Sequence, residues 1–429
     1  MNHDTTSYVY LIIYVLLWFI VCYSYYKKVK LSSGYIVIGS YFVYGVLAYI
    51  LYSDHFLGYK YEELRFFPFL YLFIMQYIFL TPVFKYEKVH VLRIKRPNSN
   101  LVQLILVSYG ICALVILPNI LSSLQEGITL LLLDSEGGSE LYKSARENYV
   151  KRSAGVSGIY GLIAVFYNAF SDVAKFFFFY YLTLSNKKKS LVLLFCIVLV
   201  IDLLHPISEG GRTDVVMNMF SMVMALMLFY PFYSNKIRKV TKSMSFALLV
   251  IVAIPFMALT ISRFGESSAG TSGGLLSYTG QAPLNFNINA LNAGGTRNGD
   301  RTINLFKQFV FDNIPEDVDE VRAKYQHLKM DDSIFSTYVG DFVLDYGPIG
   351  AFVIFVCLSL FLSRKVRIVN RTISFKSLLL VYFVLCVAMQ GGMYLFYYSF
   401  MENLSIMAFI FTYIVLSIYP NRVSQYLVR

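Results

Sequence analysis

Charge is scarce in this chain. Only 15% of its 429 residues are Asp, Glu, Lys or Arg, where soluble domains carry about 25%. That shortage, set against 57% hydrophobic and 17% aromatic residues, excludes one or two ordinary soluble domains and points to a membrane protein. Cysteine is nearly absent too. Cys22, Cys112, Cys196, Cys357 and Cys386 all lie inside apolar runs. None has C-x-x-C spacing, so a disulfide framework, a thiol metal site and a redox pair are excluded, and the five read as small packing residues. There is no phosphate-binding G-x-x-x-x-G-K-[ST], no H-E-x-x-H and no dinucleotide fingerprint, which argues against an ATP-driven pump. No internal repeat is visible, and no polar stretch is long enough to fold alone. The first apolar run has no charged segment before it and no small-residue cleavage site after it, so it reads as a retained span rather than a signal peptide.

Apolar runs fill most of the sequence. A hydrocarbon core about 30 Å thick needs about 20 apolar residues per helix. Eleven runs meet or approach that length: 8–26, 34–52, 66–84, 101–118, 158–184, 190–207, 213–233, 244–262, 348–363, 377–395 and 404–419. The expected fold is therefore an all-α polytopic membrane protein of about eleven spans (range about 10–12) in a single transmembrane domain, 1–429.

The formal charge of +11 suggests nucleic acid until its distribution is read. Alternate connections carry Lys27, Lys28 and Lys30; Lys85, Lys88, Arg93, Lys95 and Arg96; Lys187–Lys189; Lys236, Arg238, Lys239 and Lys242; Arg364, Lys365, Arg367, Arg371 and Lys376; then Arg422 and Arg429. Glu87 is the one acid among them. The basic connections face the cytoplasm, so no nucleic-acid partner is needed to explain the charge. The expected location is a bacterial inner membrane, with the N-terminus periplasmic and the C-terminus cytoplasmic.

The other side then holds two long segments, 119–157 and 263–335. The first includes an apolar stretch, 128–133, too short to span, that fits an interfacial or re-entrant piece. The Gly-, Ser- and Asn-rich stretches 267–274 and 294–299 are expected to be irregular. Helical patterning occupies 301–311 and 315–329, with Pro315 and the acids after it marking a helix start.

Four groups of residues are chemically suggestive. In Ser208-Glu209-Gly210-Gly211-Arg212-Thr213-Asp214, two glycines let backbone approach a ligand and Arg212 opens a helix, where a phosphate or diphosphate is well received. A tight turn with an interfacial arginine explains the same residues. Arg263, Arg297 and Arg301 cluster on the long segment, where topology requires no arginine; solvated charge is the plainer reading. Asp341 and Asp345 stand four apart, on one helical face with Tyr338, and Gly347-Pro348 is expected to kink that helix. A carboxylate there suits a general base, or a helix cap. Within the spans, Asp172 with Lys175 and Asp202 with His205 are costly in hydrocarbon and need partners. Weaker signals are Asp317-Val318-Asp319, which imitates a metal-binding D-x-D, and Asp54, Glu62 and Glu63 in the first outer connection.

The Gly-Gly-Arg-Thr turn at 210–213, the segments Ser277-Tyr278-Thr279-Gly280 and Pro283-Leu284-Asn285-Phe286, and the stretch from Ser336-Thr337-Tyr338 through Asp345-Tyr346-Gly347-Pro348-Ile349-Gly350 resemble the bacterial oligosaccharide repeat-unit (O-antigen, Wzy-type) polymerases. The likeness covers 200–350 by motif and the whole chain by order of parts, including a large periplasmic loop in the second half. The resemblance implies a helical framework like that of the C-type glycosyltransferases and the related O-antigen ligases. It implies transfer of a growing glycan from one undecaprenyl diphosphate to the sugar of another lipid-linked repeat unit, with no metal and no cofactor, and a chain-length regulator as a possible partner. Under that reading Glu209, Asp341 and Asp345 are candidates for acid–base work. Arg212, Arg263, Arg297 and Arg301 bind diphosphate, while Tyr278 and Tyr338 stack on sugars. The ligases use a loop histidine as well; here that segment holds only His327. An O-antigen ligase and a lipid-linked oligosaccharide flippase or other transporter, the latter using Asp172, Lys175 and Asp202, are the competing expectations.

Overall fold

A computed structural model describes residues 5–53, 61–133, 158–208, 212–264, 270–311, 314–315, 318–330, 334–419 and 426–428. Helices make up 78% of it, and the strands are pieces of two or three residues, so the class is all-α. The chain forms two compact units, one from 1–92 with 272–406 and the other from 93–271 with 407–429.

The first unit contains α1 (Thr5–Val29), α2 (Ser33–Ser53), α3 (Phe66–Phe79), α4 (Thr81–Lys88), most of α10 (Gly270–Asn289), α11 (Asn304–Gln308), α12 (Val318–Lys324), α13 (Thr337–Lys365), α14 (Phe375–Gln390) and the start of α15 (Ser399–Ile418). The second contains α5 (Ser99–Leu133), α6 (Ile159–Tyr181), α7 (Lys189–Ser208), α8 (Arg212–Phe229), α9 (Asn235–Phe264) and the rest of α15. Strands β1 (Arg93–Lys95) and β4 (Tyr426–Val428) pair antiparallel with Ile94 opposite Leu427. Strands β2 (Ile368–Val369) and β3 (Thr372–Ser374) form a hairpin whose turn residues, Asn370 and Arg371, both have positive φ, as a two-residue hairpin turn requires.

Among the described residues seven helices are long and apolar enough to cross a membrane, or eight if α3 and α4, bent by 49°, count as one broken span. The bend follows from chemistry: Pro82 at the start of α4 has no N–H to give the preceding turn. Each of the eleven expected runs falls on a helix, but among the described residues α9, which carries the run 244–262, is not one of the helices that qualify, and α14 and α15 qualify only as shorter apolar helices. Large apolar side chains face outward along the long helices. Leu104, Leu193 and Phe361 are each more than half exposed, an arrangement suited to lipid rather than water.

Two expectations change. The Gly/Ser-rich stretch from 270 onward is the first turn of the 20-residue α10 rather than irregular chain. Residues 128–133 continue α5 rather than forming a separate piece. The glycine argument failed at α10 because helix propensity is a weak prior that tertiary contacts override.

Packing in the first unit is aromatic. Trp18 is fully buried against Tyr41 and Phe73, with ring centroids 4.8 and 4.9 Å away, and Tyr14 stacks on Phe69 at 5.0 Å. Glu87, the lone acid among the basic connections, is explained here. Its carboxylate accepts bonds from Tyr25 Oη (2.5 Å), Ser32 Oγ (2.7 Å), Ser33 Oγ (2.8 Å) and the Gly34 N–H (2.9 Å). It joins the α1–α2 connection to α4, each charge-assisted bond contributing about 1.5–3 kcal/mol.

Small residues permit the closest helix contacts, as in membrane bundles generally. A Cβ on Gly280 of α10 would stand 2.7 Å from the Leu47 carbonyl oxygen of α2, whereas one on Gly39 would meet nothing within 4 Å. Gly280→Ala should therefore destabilise the detergent-solubilised protein by about 1–3 kcal/mol. Gly39→Ala should be near neutral. Thermal unfolding followed by circular dichroism checks the pair, and equal midpoints would refute the close contact.

Candidate functional site

The N-terminus of α13 is anchored by backbone. The Thr337 N–H donates to Met393 O (2.7 Å) and the Tyr338 N–H to Gly391 O (2.9 Å). That docking aims the next two turns, and with them Asp341 and Asp345, at the segment 293–302. The helix then breaks at Gly347, whose φ of 71° is non-helical, directly before Pro348, as its sequence implies.

Arg297 is the centre of the site and is 1% exposed. Its backbone N–H donates to Leu344 O (2.8 Å). Its Nε donates to Asp345 Oδ1 (2.7 Å), and one terminal nitrogen reaches Asp341 O (3.0 Å) and Asp341 Oδ1 (3.5 Å). Two carboxylates four residues apart on one helical face thus grip a single planar guanidinium. Their other oxygens are also engaged: Asp345 Oδ2 accepts the Thr302 N–H and Asp341 Oδ2 the Leu395 N–H, both at 2.7 Å. Arg301 stands 3.8 Å from Asp341 Oδ1, its guanidinium 4.0 Å above the Tyr398 ring. Asn403, fully buried, donates to Thr302 O and Tyr397 O and accepts the Leu305 N–H. Gly299 turns the chain at φ +81°, where a Cβ would press on Ile303 and Tyr346 at 3.0 Å, so glycine is required.

A second knot lies beside the first. Asp300 is buried and is met by Lys307, by Lys324 Nζ at 2.7 Å and by Tyr325 Oη at 2.7 Å. Burial works to raise its carboxyl, but the bonds from Lys307, Lys324 and Tyr325 outweigh it and hold the group below the usual Asp range. The Tyr325 phenol is pushed well up by burial and by the Asp300 charge. These knots wall a cavity of about 290 Å³ lined by the polar residues Arg297, Arg322, Tyr325 and Gln326 and by the apolar residues Val321, Leu328, Met330 and Leu344. A guanidinium, a phenol and an amide in one lining with aliphatic side chains can take a ring that is polar at its edge and carbon-rich on its face.

The candidates named from sequence separate. Arg297, Arg301, Asp341 and Asp345 come together. Asp341 and Asp345, expected as free general bases, have their oxygens committed to Arg297, Thr302 and Leu395 and act here as positioning residues. Arg297, expected to bind substrate diphosphate, instead neutralises them. Tyr338, expected as a sugar platform, is fully buried between Phe79 and Phe355 and has no free face. Tyr278 is half-buried, edge-on to Phe335 at 5.0 Å. Arg212 opens α8 and Arg263 lies in the last turn of α9, but their side chains lie outside the described residues, as does Glu209. Of the D-x-D, Asp317 is likewise outside, as is Asp54; Glu62 and Glu63 are exposed to solvent. His327 is exposed, 6.1 Å from Tyr325 between ring centroids. Sequence reasoning missed Asp300, Arg322, Tyr325 and Asn403. The last had a signal, a lone asparagine in an apolar helix; Arg322 and Tyr325 had only i, i+3 spacing on a short polar helix.

No family model, curated protein or solved structure matches the chain.

Removing Arg297 should strand two buried carboxylates. Arg297→Ala is expected to cost about 3–5 kcal/mol. Arg297→Lys should recover only part, since a point charge cannot replace the planar fork. Unfolding midpoints in detergent measure both; a near-neutral Arg297→Ala would overturn the central role. For Asp300 the sign is set by its lowered carboxyl. The stability it contributes is present above the ordinary Asp range, about 3.9, and is lost as pH falls through the folded-state value. Amide exchange across 297–325 should therefore accelerate in that acidic window, and Asp300→Asn should flatten the dependence while being less protected at neutral pH.

Proposed function

We propose that the chain is a membrane glycosyltransferase of the bacterial inner membrane, with about eleven spans. It polymerises undecaprenyl-diphosphate-linked oligosaccharide repeat units at the periplasmic face into surface polysaccharide. The observation that carries the reading is the cavity beside Arg297, whose lining combines polar and cationic groups with aliphatic ones and is held by buried ion pairs, in a chain whose long helices expose apolar side chains, as a lipid-linked substrate requires. Its volume, about 290 Å³, lies near the lower end of small-molecule sites, about 300–1,000 Å³. The motif resemblance points the same way.

In this reaction an acceptor sugar hydroxyl attacks the anomeric carbon of the donor glycan. The C–O bond to the lipid diphosphate breaks, and the hydroxyl proton passes to a base. Negative charge develops on the departing diphosphate, where positioned arginines stabilise it. Arg322 lines the cavity and, with Arg301 of the same unit, is a proposed diphosphate contact; for Arg212 and Arg263 the diphosphate role rests on the motif resemblance alone. Asp341 and Asp345 are engaged by Arg297; the acid–base role of Glu209 rests on the motif resemblance alone. Tyr278 offers a half-exposed ring for a sugar face.

Purified protein supplied with lipid-linked repeat units should give a ladder of longer glycans on undecaprenyl diphosphate. Arg322→Ala and Arg212→Ala should each slow chain growth about 100-fold while leaving the protein inserted and folded. Transfer only to a lipid A core acceptor would make the chain a ligase. Movement of substrate across proteoliposomes without covalent change would make it a transporter. Either result overturns the proposal.

A further inference from the structure

The second unit has a buried polar cluster of its own, among α5, α6, α7 and α8. Asp202 of α7 is 3% exposed. Its Oδ1 accepts the hydroxyls of Tyr109 (3.1 Å) and Tyr167. Its Oδ2 is fully buried and has no hydrogen-bond partner. The nearby cation is already spent. Lys175 Nζ lies 3.1 Å from Asp172 Oδ1 and donates to Asn218 Oδ1 (2.7 Å) and Ser221 Oγ (3.1 Å). An ammonium has three protons, and these three acceptors take them all. Asn218, which bridges the two groups, gives Asp202 only a bond to its backbone carbonyl (3.1 Å).

The charge count is uneven: two carboxylates and one ammonium. The other groups that face Asp202 do not correct it. Tyr109 from α5 and Tyr167 from α6 are neutral donors, and Asn218 and Ser221 from α8 do not ionise. His205, on the same helix, sets its ring edge-on to Tyr167 at 6.4 Å. Asp214 of α8 is exposed. The Lys and Arg residues of α9 lie at its ends, at 236–242 and 263. A bare carboxylate oxygen in such surroundings is costly, and a carboxyl hydroxyl there costs far less.

We propose that Asp202 Oδ2 is a proton-binding site. The aqueous phase supplies the proton, an O–H bond forms at Oδ2, and the side chain becomes a neutral carboxylic acid whose Oδ1 still accepts both tyrosines. Asp172 and Lys175 then balance each other. Ionisable groups within spans mark proton and ion pathways, and such a site lets a proton gradient act on the charge inside this unit. The inference is independent of the polymerase reading.

Infrared difference spectroscopy of the full-length protein in nanodiscs tests it. At neutral pH the wild type should show a carboxylic-acid C=O band that shifts in D₂O. Asp202→Asn should abolish the band. Tyr167→Phe should keep it but move it to higher frequency, because one donor to the carbonyl oxygen is gone. Folded wild-type protein without the band at neutral pH would overturn the proposal. So would a band that survives in Asp202→Asn, or one that Tyr167→Phe leaves in place.

Discussion

A guanidinium taken out of water must be met on every side, and residues 293–302 and 337–346 are organised around meeting that demand for Arg297. The helix break at Gly347, the backbone docking of Thr337 and Tyr338, and the turn at Gly299 all serve one geometry: two carboxylates four apart, brought to one planar cation. The pair itself adds little net stability over an apolar replacement, because desolvation offsets most of its Coulombic gain. What it adds is position. Removing either side leaves a charge in a low-dielectric site, so alternative placements of these residues are heavily penalised.

That constraint propagates outward. Asp345 reaches Thr302, Thr302 reaches Asn403, and Asp341 reaches Leu395. Segments distant in sequence are therefore tied through side chains on one turn of α13. The Asp300 knot extends the same logic to α12, fixing Tyr325 and with it the face of the cavity. Tyr325, bonded to the Arg297 carbonyl and to Asp300, is thereby positioned on the cavity before any ligand arrives.

The fold was largely legible in the sequence because hydropathy and length impose it. Every expected run falls on a helix, and the kink at Gly347-Pro348 and the pairing of Asp172 with Lys175 were readable from local spacing. Site roles were less legible. Spacing placed Asp341 and Asp345 on one face but not what that face meets, since Arg297 lies 44 and 48 residues away in sequence. Tyr338 shared their stripe in projection yet points into Phe79 and Phe355. The cavity was invisible because its apolar lining, Leu328, Met330 and Leu344, resembles any short hydrophobic patch. The start of α10 was misread because glycine and serine signal loops only where tertiary contacts do not decide.

The two units handle buried charge in opposite ways, and the contrast bears on what each can do. In the first, every carboxylate oxygen of Asp341 and Asp345 has a donor or a cation. In the second, Lys175 is saturated by Asp172, Asn218 and Ser221, and Asp202 is left with one oxygen bare. A group whose bonds are complete resists change; a group with one open position accepts it at little cost to its neighbours. Aspartates in the two units thus differ in the number of donors around them, and the count of ammonium protons on Lys175 is what fixes that number for Asp202.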